Sequence, residues 1–280
     1  MSDVRITKLL NWYRKHGRDL PWRKTKDPYR IFVSEMMLQQ TQVAHVIPFY
    51  RNWLRTFPSW KALSKAKTDQ LIRAWVGLGY NRRALYMREA AKTVVQTGVP
   101  STIEDWQSLK GIGPYAAAAI YAFTAHRPAP AIETNIRRVI GRAFLKLPFP
   151  EIANDGRIRA VLQKVLTHHT HWIALHALMD LGAMICSVKN PSCAICPLKH
   201  TCPSRKLFEL GIKQPKRKKV KEYIHHAKPF PDRIYRGKIL KLIREEGSMN
   251  LEEIGKRIDP RFDANNDARW VQAMVKRLTA

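Results

Sequence analysis

All four cysteines of this chain fall between Cys186 and Cys202, in the spacing Cys186-x6-Cys193-x2-Cys196-x5-Cys202. None is left elsewhere to build a disulfide framework, so the group reads as a metal site in a reducing compartment, and any fold must bring four thiolates to one place. Four such ligands complete the terminal ligation of one cubane cluster. A structural zinc also accepts four cysteines, but its sites usually pair two short Cys-x-x-Cys knuckles. Only one short pair exists here, so the spacing favours [4Fe-4S] over zinc. The cluster is expected to fix the fold of its own loop, where Lys189, Lys199 and Arg205 can meet phosphates, with no redox step on a substrate required.

Charge points to a partner. Fifty Lys and Arg against 22 Asp and Glu leave a formal charge of +28, which attracts a polyanion strongly and with marked salt dependence. Nucleic acid is the default partner, although charge alone does not separate it from a merely soluble or ribosome-associated basic protein. Met1 to Leu10 mixes Asp3, Arg5 and Lys8 with isolated apolar residues and lacks the apolar core of a secretory signal, so it reads as mature protein. The longest apolar run, Tyr115 to Ala125, is far shorter than the roughly 20 residues needed to span a bilayer. It is expected to be a buried helix in a monomeric protein of the cytoplasm and nucleoid, with no membrane partner.

Apolar residues recur at helical spacing, as in Leu9, Leu10, Trp12 and Tyr13 or Leu71, Ile72, Trp75 and Val76, and strand-like alternation is almost absent. The catalytic part is therefore expected to be all-α. Helix starts are signalled by Asp27-Pro28, Pro58-Ser59 and Pro100-Ser101. Residues 206–228 contain the Pro-broken basic run Lys213 to Lys221 and read as a linker, either a solvated hinge or a nonspecific phosphate contact. Beyond it, 229–280 holds three short amphipathic segments, Arg233 to Arg244, Leu251 to Arg257 and Ala268 to Leu278. These suit a helix-turn-helix or winged-helix module, or a small packing domain with no DNA role. The chain stops at Thr279-Ala280, where a wing would begin.

Between a helical run starting near Ile103 and the apolar helix lies Leu109-Lys110-Gly111-Ile112-Gly113-Pro114-Tyr115. Gly111 and Gly113 around one aliphatic residue permit a tight turn that exposes backbone N–H groups at the next helix's N-terminus, a ready site for a DNA phosphate. Such a hairpin anchors backbone without reading sequence, with Lys110 facing solvent or phosphate. Alone it is weak evidence, since an ordinary helix-helix turn uses the same residues. It gains weight from the carboxylate some twenty residues on and from the cysteines that follow.

Together with Leu20-Pro21-Trp22-Arg23, Val33-Ser34-Glu35-Met36-Met37-Leu38-Gln39-Gln40-Thr41-Gln42-Val43, Gly77-Leu78-Gly79-Tyr80 and Met179-Asp180-Leu181-Gly182-Ala183-Met184-Ile185-Cys186, these stretches resemble the MutY-type adenine DNA glycosylases, relatives of endonuclease III, over roughly 18–203. The resemblance implies a two-lobed helix-hairpin-helix glycosylase. A six-helix domain over 25–130 would face a cluster lobe built from 1–24 and 131–205, with DNA in the cleft. It implies double-stranded DNA with a mismatched or damaged base pair as partner, and a base flipped out before its glycosidic bond is reached. Gln40 and Tyr80 are then wedge candidates, and Trp22, Arg23, Leu38, Val43 and His176 would line the base pocket.

Breaking an N-glycosidic bond leaves an electron-deficient sugar and a poor anionic leaving group, so an acid at the base and a carboxylate near C1′ both help. Glu35, among Met36, Met37 and Leu38, is in a setting that raises its pKa and is assigned as general acid. Glu133 stands where these enzymes usually have aspartate, and would stabilise the sugar cation or merely cap the next helix and pair with Arg137. Tyr115 stands where bifunctional relatives carry a Schiff-base lysine, which implies a monofunctional enzyme. Leu175-His176 replaces the usual Asn followed by Gln or Glu. Residues 229–280 are too short and helical for the Nudix-like domain with which the family usually recognises 8-oxoguanine opposite adenine. The alternatives are a mismatch thymine or uracil glycosylase, or a noncatalytic iron-sulfur DNA-binding protein.

Overall fold

A computed structural model describes residues 3–166, 171–215, 225 and 228–279. The basic run at 216–221 lies outside the described residues. The helix starts follow local chemistry. Asp27 accepts from the Tyr29 and Arg30 N–H groups ahead of Pro28, and Ser59 accepts from Ala62. At the third start the cap is Thr102, one residue later than the Pro-Ser pair suggests, because Asp105 reaches back to complete a capping box. No strand occurs among the described residues.

The chain divides into two compact units, 1–214 and 215–280. The first contains α1 (Val4–His16), α2 (Pro28–Leu38), α3 (Val43–Thr56), α4 (Trp60–Ser64), α5 (Thr68–Trp75), α6 (Arg82–Thr97), α7 (Ile103–Ser108) and α8 (Pro114–Ala125). It continues with α9 (Thr134–Phe144), α10 (Asp155–Val165), α11 (His171–Met184) and α12 (Arg205–Glu209). Residues 25–130 thus carry seven helical segments, α4 being barely more than one turn. Helix α2 is buried at Tyr29 and from Ile31 to Met37 because α3, α6 and α8 all pack on it, and Ala116 to Ala119 of α8 keep that side thin. Trp53, Trp75 and Trp106 are fully buried alongside, each removing a large apolar area from water. On the other side α11 packs against α9 and α1.

The second unit has α13 (Asp232–Glu246), α14 (Leu251–Ile258) and α15 (Ala264–Thr279) around Tyr235, Ile239, Ile254, Ile258, Trp270, Val271 and Met274. Buried Lys228 pairs with Asp259 at 2.8 Å and Asp267 at 2.5 Å, so no charge of this triad is left unpaired.

Candidate active site

Gln40 and Tyr80, the two wedge candidates, are both exposed non-glycine residues with left-handed backbones, φ +56° and +51°. Such a conformation is strained and persists only where its surroundings enforce it. Here the enforcing group is Arg83, at the start of α6. Its guanidinium donates to Met36 O (2.9 Å), Met37 O (3.1 Å) and Gln39 O (2.6 Å) on one side, and to Leu78 O (3.1 Å) and Gly79 O (3.0 Å) on the other. One buried cation therefore ties both turns together. Sequence reading missed it, since an arginine satisfied by carbonyls has no pairing partner to look for. Arg83→Ala leaves several buried carbonyls without a donor, at ~1–3 kcal/mol each. We expect a melting temperature lowered by more than about 6 °C and loss of the fluorescence rise that reports flipping of 2-aminopurine in a bound duplex. A melting temperature within a degree of wild type would contradict the clamp.

Glu35, near the end of α2, is 6% exposed. Its pKa is pushed up from 4.5 to about 7, first by burial and then by the Glu133 charge, against the Tyr115 hydrogen bond and the Arg23 charge, which lower it. Tyr115, one residue into α8 from Pro114, donates its hydroxyl to Glu35, and its own pKa is driven well above 10 by burial and by both glutamates. Glu133 caps α9. Oε1 accepts from Ile136 N at 2.8 Å, and Oε2 accepts from Thr134 Oγ1 and Asn135 Nδ2, each at 3.0 Å. The anticipated ion pair with Arg137 does not form, because Arg137 is held by Asp155 at 2.6 and 2.8 Å. Glu35 thus meets Tyr115 and Glu133, which lie some eighty to a hundred residues further along the chain.

Trp22, Arg23 and His176 line one open cavity of about 230 Å³, together with Lys24, Thr25, Lys26, Phe123, His126 and Trp172. Leu38 and Val43 do not line it and lie half-buried against the core. Arg23 is spoken for: Asp180, fully buried on α11, receives both of its terminal nitrogens at 2.8 and 2.9 Å and also holds Arg18. His176 stacks on Phe123 with ring centroids 4.1 Å apart. Burial, then the Arg23 charge, lowers its pKa well below 6.5, so the ring is neutral, and its Nδ1 is buried without a partner. Phe123, Trp172 and His126, also missed in the sequence, supply the aromatic walls. A cluster of aromatics on two helical faces is the only signal they leave.

In the hairpin, Gly111 has φ +86°, and a Cβ there would come within 2.7 Å of the Tyr86 ring, so glycine is required. Gly113 N-caps α8, and exposed Lys110 stands over Tyr86. The four cysteines line a second cavity with Arg142, Ile185, Pro191, Lys199, Arg205 and Phe208. Buried Arg142 secures that loop by donating to Ser187 O at 2.6 Å, Val188 O at 2.8 Å and Cys186 Sγ at 3.4 Å. Arg205 pairs with Glu209 at 2.6 Å. Among the described residues no three ligating groups converge as a single metal ion requires.

Residues 33–170 match the family described as HhH-GPD superfamily base excision DNA repair protein. The adenine DNA glycosylase of Mycobacterium tuberculosis is 38% identical over 207 residues, covering 69% of this chain and 65% of that one. The adenine DNA glycosylase of Mycolicibacterium smegmatis is 35% identical over 243 residues, covering 85% of this chain and 79% of that one. A solved thermostable thymine-DNA glycosylase superposes with a TM-score of 0.65 at 25% identity, over 73% of this chain and 96% of that structure. The chain thus spans about 65% of the length of the tuberculosis relative.

Proposed function

The chain belongs to the HhH-GPD superfamily of base excision DNA repair proteins, and from that footing we propose that it excises a flipped adenine, mispaired with 8-oxoguanine or guanine, by hydrolysing its N-glycosidic bond. The observation that carries this reading is the hydrogen bond between Tyr115 and buried Glu35, within electrostatic reach of Glu133. With a pKa of about 7, Glu35 holds a proton for the leaving base at neutral pH. As the C1′–N bond breaks, the base departs with the bonding pair and takes that proton. The positive charge growing on the sugar is met by the Glu133 carboxylate, held in place by its three donors. Water adds at C1′, and the proton it sheds restores Glu35. With tyrosine at 115, no lysine there forms a Schiff base, so the enzyme is monofunctional.

DNA is expected to meet the backbone N–H groups of the Lys110–Gly113 hairpin, with Gln40 and Tyr80 entering the stack. The cysteine cavity fits a [4Fe-4S] group. Its donor set is four thiols around one space, and the single short Cys-x-x-Cys pair favours a cubane cluster over a zinc ion. Cys186, Cys193, Cys196 and Cys202 would hold it, and it would supply a rigid loop and a fixed charge. Purified protein is expected to be brown, with about four iron atoms per chain. Colourless protein with one zinc would contradict this.

One observation favours a second substrate. The neutral His176 ring offers a donor or an acceptor according to tautomer, so it suits a pyrimidine carbonyl as well as an adenine amino group. The likeness to a thymine-DNA glycosylase points the same way. A strand-cleavage gel after alkali, on duplexes carrying A:8-oxoG, A:G, T:G and U:G, separates the two. Release confined to the adenine pairs is the result expected, and release confined to T:G and U:G overturns the adenine assignment.

A further inference from the structure

We propose that α15 of the second unit is a DNA-reading helix that lies in the major groove of duplex DNA, giving the protein a second contact on its substrate. The helix is amphipathic in a particular way. Trp270, Val271 and Met274 are buried in the core of this unit, while Asn265, Arg269, Gln272 and Lys276 form an exposed stripe at i, i+4, i+7 and i+11. Three of these four are residue types that read base edges with paired hydrogen bonds, Arg on guanine and Asn or Gln on adenine. Exposed Ala268 and Ala273 flank the stripe and keep the helix slim enough for a groove ~12 Å wide.

The acids nearby are already committed. Asp263 binds the Asn265 N–H at 2.9 Å and Asn266 Nδ2 at 2.5 Å, and Asp267 is buried against Lys228. On α14, Glu252 pairs with Lys256 at 2.7 Å, and Glu253 closes the capping box with Asn250. Arg269 and Gln272 make no such bond among the described residues. The outward face of α15 is thus cationic and polar with no free carboxylate, which suits a polyanion and not an apolar partner.

The mounting is that of a helix-turn-helix. Helix α14 leads through a turn at 259–263 into α15, and that turn is pinned. Phe262 packs so closely on α14 that a Cβ on Gly255 would lie 2.3 Å from its ring, and Asp259 accepts from Arg261 N at 3.1 Å. Trp270 Nε1 donates to Asp232 at 3.0 Å, tying α15 to α13. The angle of α15 is therefore fixed before DNA arrives, so little ordering cost is left to binding.

The test uses the full chain and an undamaged duplex of about three helical turns, so that it reads binding with no base excision and stands apart from the adenine assignment. In Arg269→Ala/Gln272→Ala the dissociation constant is expected to rise roughly tenfold or more. The slope of log affinity against log salt should fall by about one, the share of one lost cation. Arg269→Lys/Gln272→Ala keeps the charge and should recover the slope while leaving affinity low. Because alanine favours helix, far-ultraviolet dichroism and melting should match wild type, and single-turnover base release at saturating protein should be unchanged. Unaltered affinity and slope in the alanine variant would overturn the proposal, as would recovery of full affinity by the lysine variant, which would reduce the contact to charge alone.

Discussion

Glu35→Gln is expected to slow base release by about 10²–10⁴-fold in single-turnover assays while duplex affinity stays within a few-fold of wild type. Glutamine keeps the size and accepts from Tyr115, yet has no proton to give the leaving base. The wild-type rate should fall as pH rises through about 7, where the acid form is lost. Tyr115→Phe removes a hydrogen bond that holds this pKa down, so the fall should move to higher pH. Stability obeys the same numbers. The folded-state pKa lies above the ordinary 4.5, so between pH 4.5 and about 7 the unfolded chain has released a proton that the native one keeps. The contribution of this group is full below pH 4.5 and is lost as pH rises through 7, a change on the order of 3 kcal/mol at most. Glu35→Gln should therefore melt higher than wild type at pH 8, with the gap shrinking toward pH 4.5. Equal melting temperatures at both pH values would mean that Glu35 is not held as an acid.

Glu133→Gln should lose about 10²–10³-fold in release rate, because an amide cannot answer the charge that grows on the sugar. Its cost to the fold should be small, since an amide oxygen still accepts from Ile136 N, and even complete removal of a helix cap costs ~0.5–2 kcal/mol. The two roles of this residue can therefore be separated. Glu133→Ala should show both the lowered melting temperature and the lost activity. Glu133→Asp should retain or improve activity, because aspartate caps helices well and keeps the negative charge. Kinetics and melting curves on the three variants decide the matter: full activity in Glu133→Gln would leave Glu133 as a cap and nothing more.

The all-helical architecture was legible because periodicity and caps are local signals. Asp27 and Ser59 start the helices that their sequence context announces, and even Thr102 is displaced by only one residue. The meeting of Glu35 with Tyr115 and Glu133 was legible only through the order of the surrounding motifs, since nothing local links residues so far apart. The supports of the site were not legible. Arg83 works through carbonyls that every residue possesses, and Asp180 works through a buried fork to Arg18 and Arg23 that spans some 160 residues. Arg23, expected at the base pocket, does line the cavity, but its charge is spent on Asp180. His176, also expected at the base pocket, lines the same cavity and is buried with an unpaired ring nitrogen. Competition among partners for one guanidinium or one imidazole is settled by packing, which periodicity does not encode.

The most direct test of the glycosylase mechanism is single-turnover reaction of the wild-type chain with an A:G duplex in ¹⁸O-labelled water, read by mass spectrometry of the released base and of the strand. The predicted result is free adenine and an otherwise intact strand carrying one ¹⁸O at the abasic C1′, with both products formed about 10²–10⁴-fold more slowly by Glu35→Gln. Tight binding with no free base from any mismatched duplex, or a strand trapped on the protein by borohydride, would contradict it.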